Sequence, residues 1–66
     1  MQNKIKELRK QFSLTQDDLA RKVEVSRQTI ISLEKGRYDP SIFLAYKLAK
    51  SFDKTIEDVF IFETEE

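Results

Sequence analysis

Arg27, Gln28, Ile31 and Ser32 are the residues of this sequence whose types and spacing offer the most specific chemistry. A guanidinium presents a fork of donors that fits guanine, and a primary amide offers the donor and acceptor that fit adenine. A hydroxyl serves several base edges, and an aliphatic tip meets a thymine methyl. This is chemistry of recognition, and little in the sequence speaks for chemistry of bond-making. His and Cys are absent, which removes the usual nucleophile–base pairs and zinc ligand sets. Asp17-Asp18 and Glu57-Asp58 are adjacent carboxylates, but each pair falls in the first turn of a predicted helix, where capping and the helix dipole account for it. There is no Gly-rich phosphate loop and no calcium-loop spacing. The expectation is a non-enzyme that needs no metal, no cofactor and no small-molecule ligand.

Those four side chains share a surface only if residues 27–35 are helical. At about 100° per residue, turning Ile30 and Leu33 inward sends Gln28, Ile31, Ser32 and Lys35 outward and leaves Arg27 at the exposed N-terminal end. A solvated helix face explains such polar residues equally well. An exposed Ile31 sits less comfortably with that plain explanation, although surface aliphatics are common.

The rest of the chain reads as the scaffold for that helix. Ile5, Leu8 and Phe12 follow i, i+3, i+7 and predict a helix over 3–11 with Asn3 as its cap. Thr15 with Asp18 forms a capping-box pattern that opens a second helix over 16–23. Ser26 opens the third helix in the same way, and Gly36 supplies its left-handed stop. Asp39-Pro40-Ser41 marks a turn before a fourth helix over 42–52, whose stripe is Leu44, Ala45, Leu48, Ala49 and Phe52. Thr55 with Asp58 opens a fifth over 56–60. Ile61-Phe62-Glu63 suits a short extended tail, and the acidic end is expected to fray. The fold class is therefore all-α: a compact five-helix domain spanning residues 1–66. Its expected core is Ile5, Leu8, Leu14, Leu19, Val23, Val25, Ile30, Leu33, Leu44, Leu48, Phe52, Ile56, Val59 and Phe60.

Composition agrees with one small domain closed by packing alone. The chain has 66 residues, 39% of them hydrophobic, with a single Gly, a single Pro and no Cys to form a disulfide. The longest apolar run, Val59-Phe60-Ile61-Phe62, is far too short to span a membrane, and no signal segment precedes the first helix. A cytoplasmic protein with no membrane partner is the expectation. Net charge is zero but unevenly spread. Residues 1–37 carry nine Lys/Arg against five Asp/Glu, a balance of +4; residues 38–66 carry three Lys against seven acids, a balance of −4.

Only Glu24 and Val25 separate the second helix from the third, so the two must meet at a steep angle. Ala20 is small where they approach, Val25 plugs the corner, and Ile30 with Leu33 gives the third helix a buried side. These features define a helix-turn-helix unit, whose second helix fits a DNA major groove. The run "LTQDDLARKVEVSRQTIISLEKGRYDPSI", residues 14–42, resembles the Cro/repressor-type (Xre-like) family of helix-turn-helix transcriptional regulators. The T-Q opening, the L-A-x-x-V face, the V-S start, the I-x-x-L-E core and the G-x-x-x-P exit all stand at the family's spacing, and nearly the whole chain follows its five-helix plan.

The resemblance implies a sequence-specific double-stranded DNA-binding regulator, usually a dimer on a pseudo-palindromic operator. By position it implies that Arg27, Gln28, Ile31 and Ser32 face base edges, and that Gln16, Thr29, Lys35, Arg37 and Tyr38 hold phosphates. Phosphate contacts position a protein without directly reading sequence. It also implies a structural ion pair between Arg9 and Glu34, joining the first helix to the third. Two departures stand out: Ser13 and Glu24 occupy places where similar proteins carry glycine, so strain is expected at the turn.

Apolar residues left over from the core, Phe43, Tyr46, Ile61 and Phe62, suggest a homodimer surface in the acidic half. Extra core is the plainer explanation of the same residues. Two other functions stay open at this level: a protein-interaction module that keeps the fold without reading DNA, and a DNA-binding antitoxin.

Overall fold

A computed structural model describes residues 1–62 and contains α1 (Ile5–Gln11), α2 (Gln16–Lys22), α3 (Arg27–Glu34), α4 (Ile42–Ser51) and α5 (Ile56–Val59). Four of these begin at a side-chain cap. Thr15 and Thr55 accept the backbone N–H of Asp18 and Asp58, and each aspartate accepts the threonine N–H in return, so both capping boxes are complete. Ser26 and Ser41 accept from Thr29 and Leu44. The backbone N–H of Thr15, then its hydroxyl, holds the Asp18 carboxyl below its ordinary range, with Arg21 adding to the effect. Asp58 is lowered in the same way by Thr55.

The start of α1 departs from the expectation. The helix begins at Ile5 rather than at 3, because residues 2–4 are engaged in pairing with residues 59–61. Lys4 donates to the Val59 carbonyl at 2.7 Å and Ile61 donates to that of Gln2 at 2.9 Å, around an antiparallel bridge between Asn3 and Phe60. Asn3 still serves the helix start, since its Oδ1 accepts from Ile5 N–H at 3.1 Å. Its amide nitrogen donates to the carbonyls of Leu33 (2.8 Å) and Met1 (3.1 Å). Phe60, expected to end α5, instead takes extended backbone with φ −108° and ψ 138°, and Ile61 and Phe62 follow it outside any helix. Glu63 and the acidic end lie outside the described residues.

The first four helices stop by one device. Ser13, Glu24, Gly36 and Asp53 take positive φ, at 56°, 63°, 73° and 55°. In each case that residue's N–H bonds three residues back. The next residue's N–H, of Leu14, Val25, Arg37 or Lys54, bonds five residues back. This is the Schellman arrangement, which glycine normally serves. Three of the four are built on residues with a side chain, Ser13 and Glu24 among them. Leu14 and Val25 then fold back against the core, the hydrophobic contact that accompanies this motif.

The core follows the apolar stripes. Ile5, Leu19, Ile30, Leu33, Leu48, Phe52 and Val59 are fully buried, with Val23 and Phe60 nearly so. Leu14, Val25 and Ile56, expected inside, pack partly buried on its edge. Ala20, Ala45 and Ala49 are buried where helices close on one another. α3 packs on both α1 and α2, and α4 packs on α5. Phe12, which shares the α1 stripe, stays 44% exposed beside the buried Phe52 ring, with centroids 5.5 Å apart.

Candidate nucleic-acid interface

α3 is anchored from behind and capped in front. Ile30 and Leu33 are fully buried. Ser26 Oγ accepts the Thr29 N–H at 3.2 Å and stands 3.0 Å from the Thr29 hydroxyl. That second contact ties Thr29 Oγ1 to the cap. Arg27 and Gln28 project from the first turn and are exposed. Ile31 and Ser32 are half-buried, which corrects the reading of Ile31 as an exposed aliphatic. The cause is that α3 packs against two helices at once, so the covered arc extends past Ile30 to the residues beside it.

Behind this surface lies a polar network. Arg9 Nε donates to Glu34 Oε2 at 2.7 Å, a second guanidinium nitrogen reaches Oε1 at 3.4 Å, and a third bonds the Leu14 carbonyl at 3.0 Å. The two side chains are 12% and 7% exposed, so the pair ties α1 to α3 away from bulk water. Gln16 joins it: its Nε2 donates to Glu34 Oε1 at 3.1 Å. An amide nitrogen carries two N–H groups, so this bond to Glu34 uses only one of them. The sequence placed Gln16 at the helix start without revealing that Glu34 holds it, because the two are 18 residues apart.

Lys35, Arg37 and Tyr38 follow α3 and are all exposed. Arg27 Nε lies 3.9 Å from Asp17 Oδ1 across the two helix starts. On the turn itself, Glu24 reaches Lys47 of α4 at 3.1 Å, a contact with both side chains largely in water.

The leftover apolar residues are exposed together: Phe43 by 78%, Tyr46 by 55%, Phe62 by 55% and Ile61 by 39%. Ile42, at 71%, was missed by sequence reasoning. Periodicity gave no warning of it, since 42, 45 and 49 follow i, i+3, i+7 and place Ile42 at the edge of the buried stripe, while 43 and 46 lie well outside it.

A family model described as Helix-turn-helix matches residues 5–59. An uncharacterized HTH-type transcriptional regulator of Methanocaldococcus jannaschii is 59% identical over 66 residues, all of both chains. Another, YgzD of Bacillus subtilis, is 49% identical over 65 residues, 98% of each chain. Among solved structures, the restriction-modification controller protein C.AhdI from Aeromonas hydrophila is similar with a TM-score of 0.77 and 28% identity over 85% of each chain.

Proposed function

Because this chain belongs to the helix-turn-helix family of transcriptional regulators, we propose that it is a repressor that binds a pseudo-palindromic operator as a homodimer, with α3 in the major groove. One observation carries the reading. Arg27 and Gln28 stand exposed on the first turn of a helix whose opposite side is fully buried. A helix so anchored presents its side chains without having to order itself on binding, and the N-terminal residues of a recognition helix are those that reach base edges.

In this reading Arg27 and Gln28 take guanine and adenine edges, while Ser32 and the half-buried Ile31 contribute beside them. Gln16, Lys35, Arg37 and Tyr38 hold the phosphates on either side. Thr29 stands at the edge of that set, because its hydroxyl already meets Ser26. Arg9 and Glu34 serve as the structural pair that fixes α3 against α1. Phe43, Tyr46, Ile61 and Phe62, joined by Ile42, form the surface for a second copy. The protein acts in the cytoplasm and performs no catalysis; no helix among the described residues is long and apolar enough to cross a membrane.

Selection of bound duplexes from a random DNA pool tests this directly. A recovered consensus with two related half-sites about one DNA turn apart is the expected result. Affinity for it should fall steeply with added salt as counterions are displaced. Failure to retain any duplex at low salt would instead favour a module that meets other proteins through its apolar surface.

A further inference from the structure

We propose that Asp17 is a positioning residue for Arg27, setting how strictly the protein demands guanine at one operator base pair. The proposal rests on the reading of α3 as the base-contacting helix. Asp18, not Asp17, completes the cap of α2 and pairs with Arg21 at 2.9 Å, so Asp17 serves that helix start only through the dipole. Asp17 lines an open groove at the start of α2, together with Arg9, Lys10, Gln16 and Arg27 among others. A carboxylate there repels an approaching phosphate backbone.

The geometry gives that charge a use. Asp17 Oδ1 lies 3.9 Å from Arg27 Nε, with the side chains 65% and 62% exposed. This approach, beyond hydrogen-bond reach, faces the flank of the guanidinium at Nε and not its two terminal nitrogens. A guanine takes those through O6 and N7. An exposed arginine has many rotamers, and a carboxylate at its flank restricts them before DNA arrives. Asp17 should therefore act in two directions, sharpening choice where Arg27 reads and weakening contact with every duplex through repulsion.

The test uses the full chain and an operator drawn from the random pool, with each base pair varied in turn. Asp17→Ala should stay folded, unfolding at most about a few degrees lower for the loss of one helix-dipole carboxylate, and bind unrelated duplex more tightly. It should also lose roughly 2- to 5-fold of discrimination at one base pair, the range that exposed ion pairs reach. Arg27→Ala should remove the preference at that same pair, and adding Asp17→Ala to it should cost no further discrimination. An equal change on all sequences for Asp17→Ala would overturn the proposal, as would a loss that persists without Arg27. If Arg27→Ala leaves every base preference intact, base reading by Arg27 fails, and this outcome is distinct from failure of the Asp17 effect alone.

Discussion

Glu24 holds φ 63° at the centre of the turn between α2 and α3, a conformation that costs an L-residue about 1–2 kcal/mol. Its only compensation among the described residues is the contact to Lys47, and with side chains 77% and 49% exposed such a pair contributes little. Glu24→Gly should therefore stabilise the fold by about 0.5–1 kcal/mol, the relief being partly offset by the freedom glycine has when unfolded. Urea unfolding measures this directly; a loss of stability would show that the Lys47 contact outweighs the backbone strain. The bases supply a second test on single side chains. Gln28→Ala should relax one operator position by roughly 1–3 kcal/mol, while Lys35→Ala should weaken all duplexes alike and flatten the salt dependence. Equal losses on every sequence for both variants would remove Gln28 from the base-reading set.

The helices were legible wherever the cause was local. Thr15, Ser26 and Thr55 each announce a helix start within three residues, and the structure forms all three caps. What stayed hidden depends on partners distant in sequence. The left-handed stop at Asp53, the third on a non-glycine residue, had a local signal in aspartate's tolerance of that conformation. The shift of α1 to Ile5, by contrast, comes from pairing between residues 2–4 and 59–61. The tie between Gln16 and Glu34 is of the same kind. Two predictions belong at this scale. Arg9→Met leaves the 7%-exposed Glu34 carboxylate without its ion partner, which should destabilise by about 3–5 kcal/mol, whereas Arg9→Met with Glu34→Leu should cost clearly less. Denaturant titration of both variants decides it. The capping carboxylates also give the helix ends a pH dependence. Asp18 and Asp58 are lowered from an ordinary value of 3.8, so their contribution is complete above that pH and is lost as pH falls through their folded values. Replacing both with Asn should flatten the acid limb of a stability–pH profile and leave its slope near neutrality unchanged.

At the scale of the molecule, the two halves of the sequence divide the labour. The basic first half holds α1–α3 and the exposed Arg27, Lys35 and Arg37, while the acidic second half holds α4, α5 and the four most exposed apolar residues, Ile42, Phe43, Tyr46 and Phe62. Phosphates favour approach to the first surface and disfavour the second. A second copy meeting the α4 side would therefore leave both recognition helices free for DNA. Covering Ile42, Phe43 and Tyr46 would also remove from water the most exposed aromatic and aliphatic groups of α4. Phe43→Lys places a charge at the most exposed of these and touches no core residue, so folding should be unaffected. Sedimentation at tens of micromolar (roughly, for an ordinary homodimer affinity) should show the wild type as a dimer and this variant as a monomer. The variant should keep its hold on an isolated half-site and lose affinity for the paired site, because two linked half-sites reinforce one another only when both are engaged. A wild type that sediments as a monomer and still binds the paired site as tightly as the variant would assign the apolar surface to a different protein.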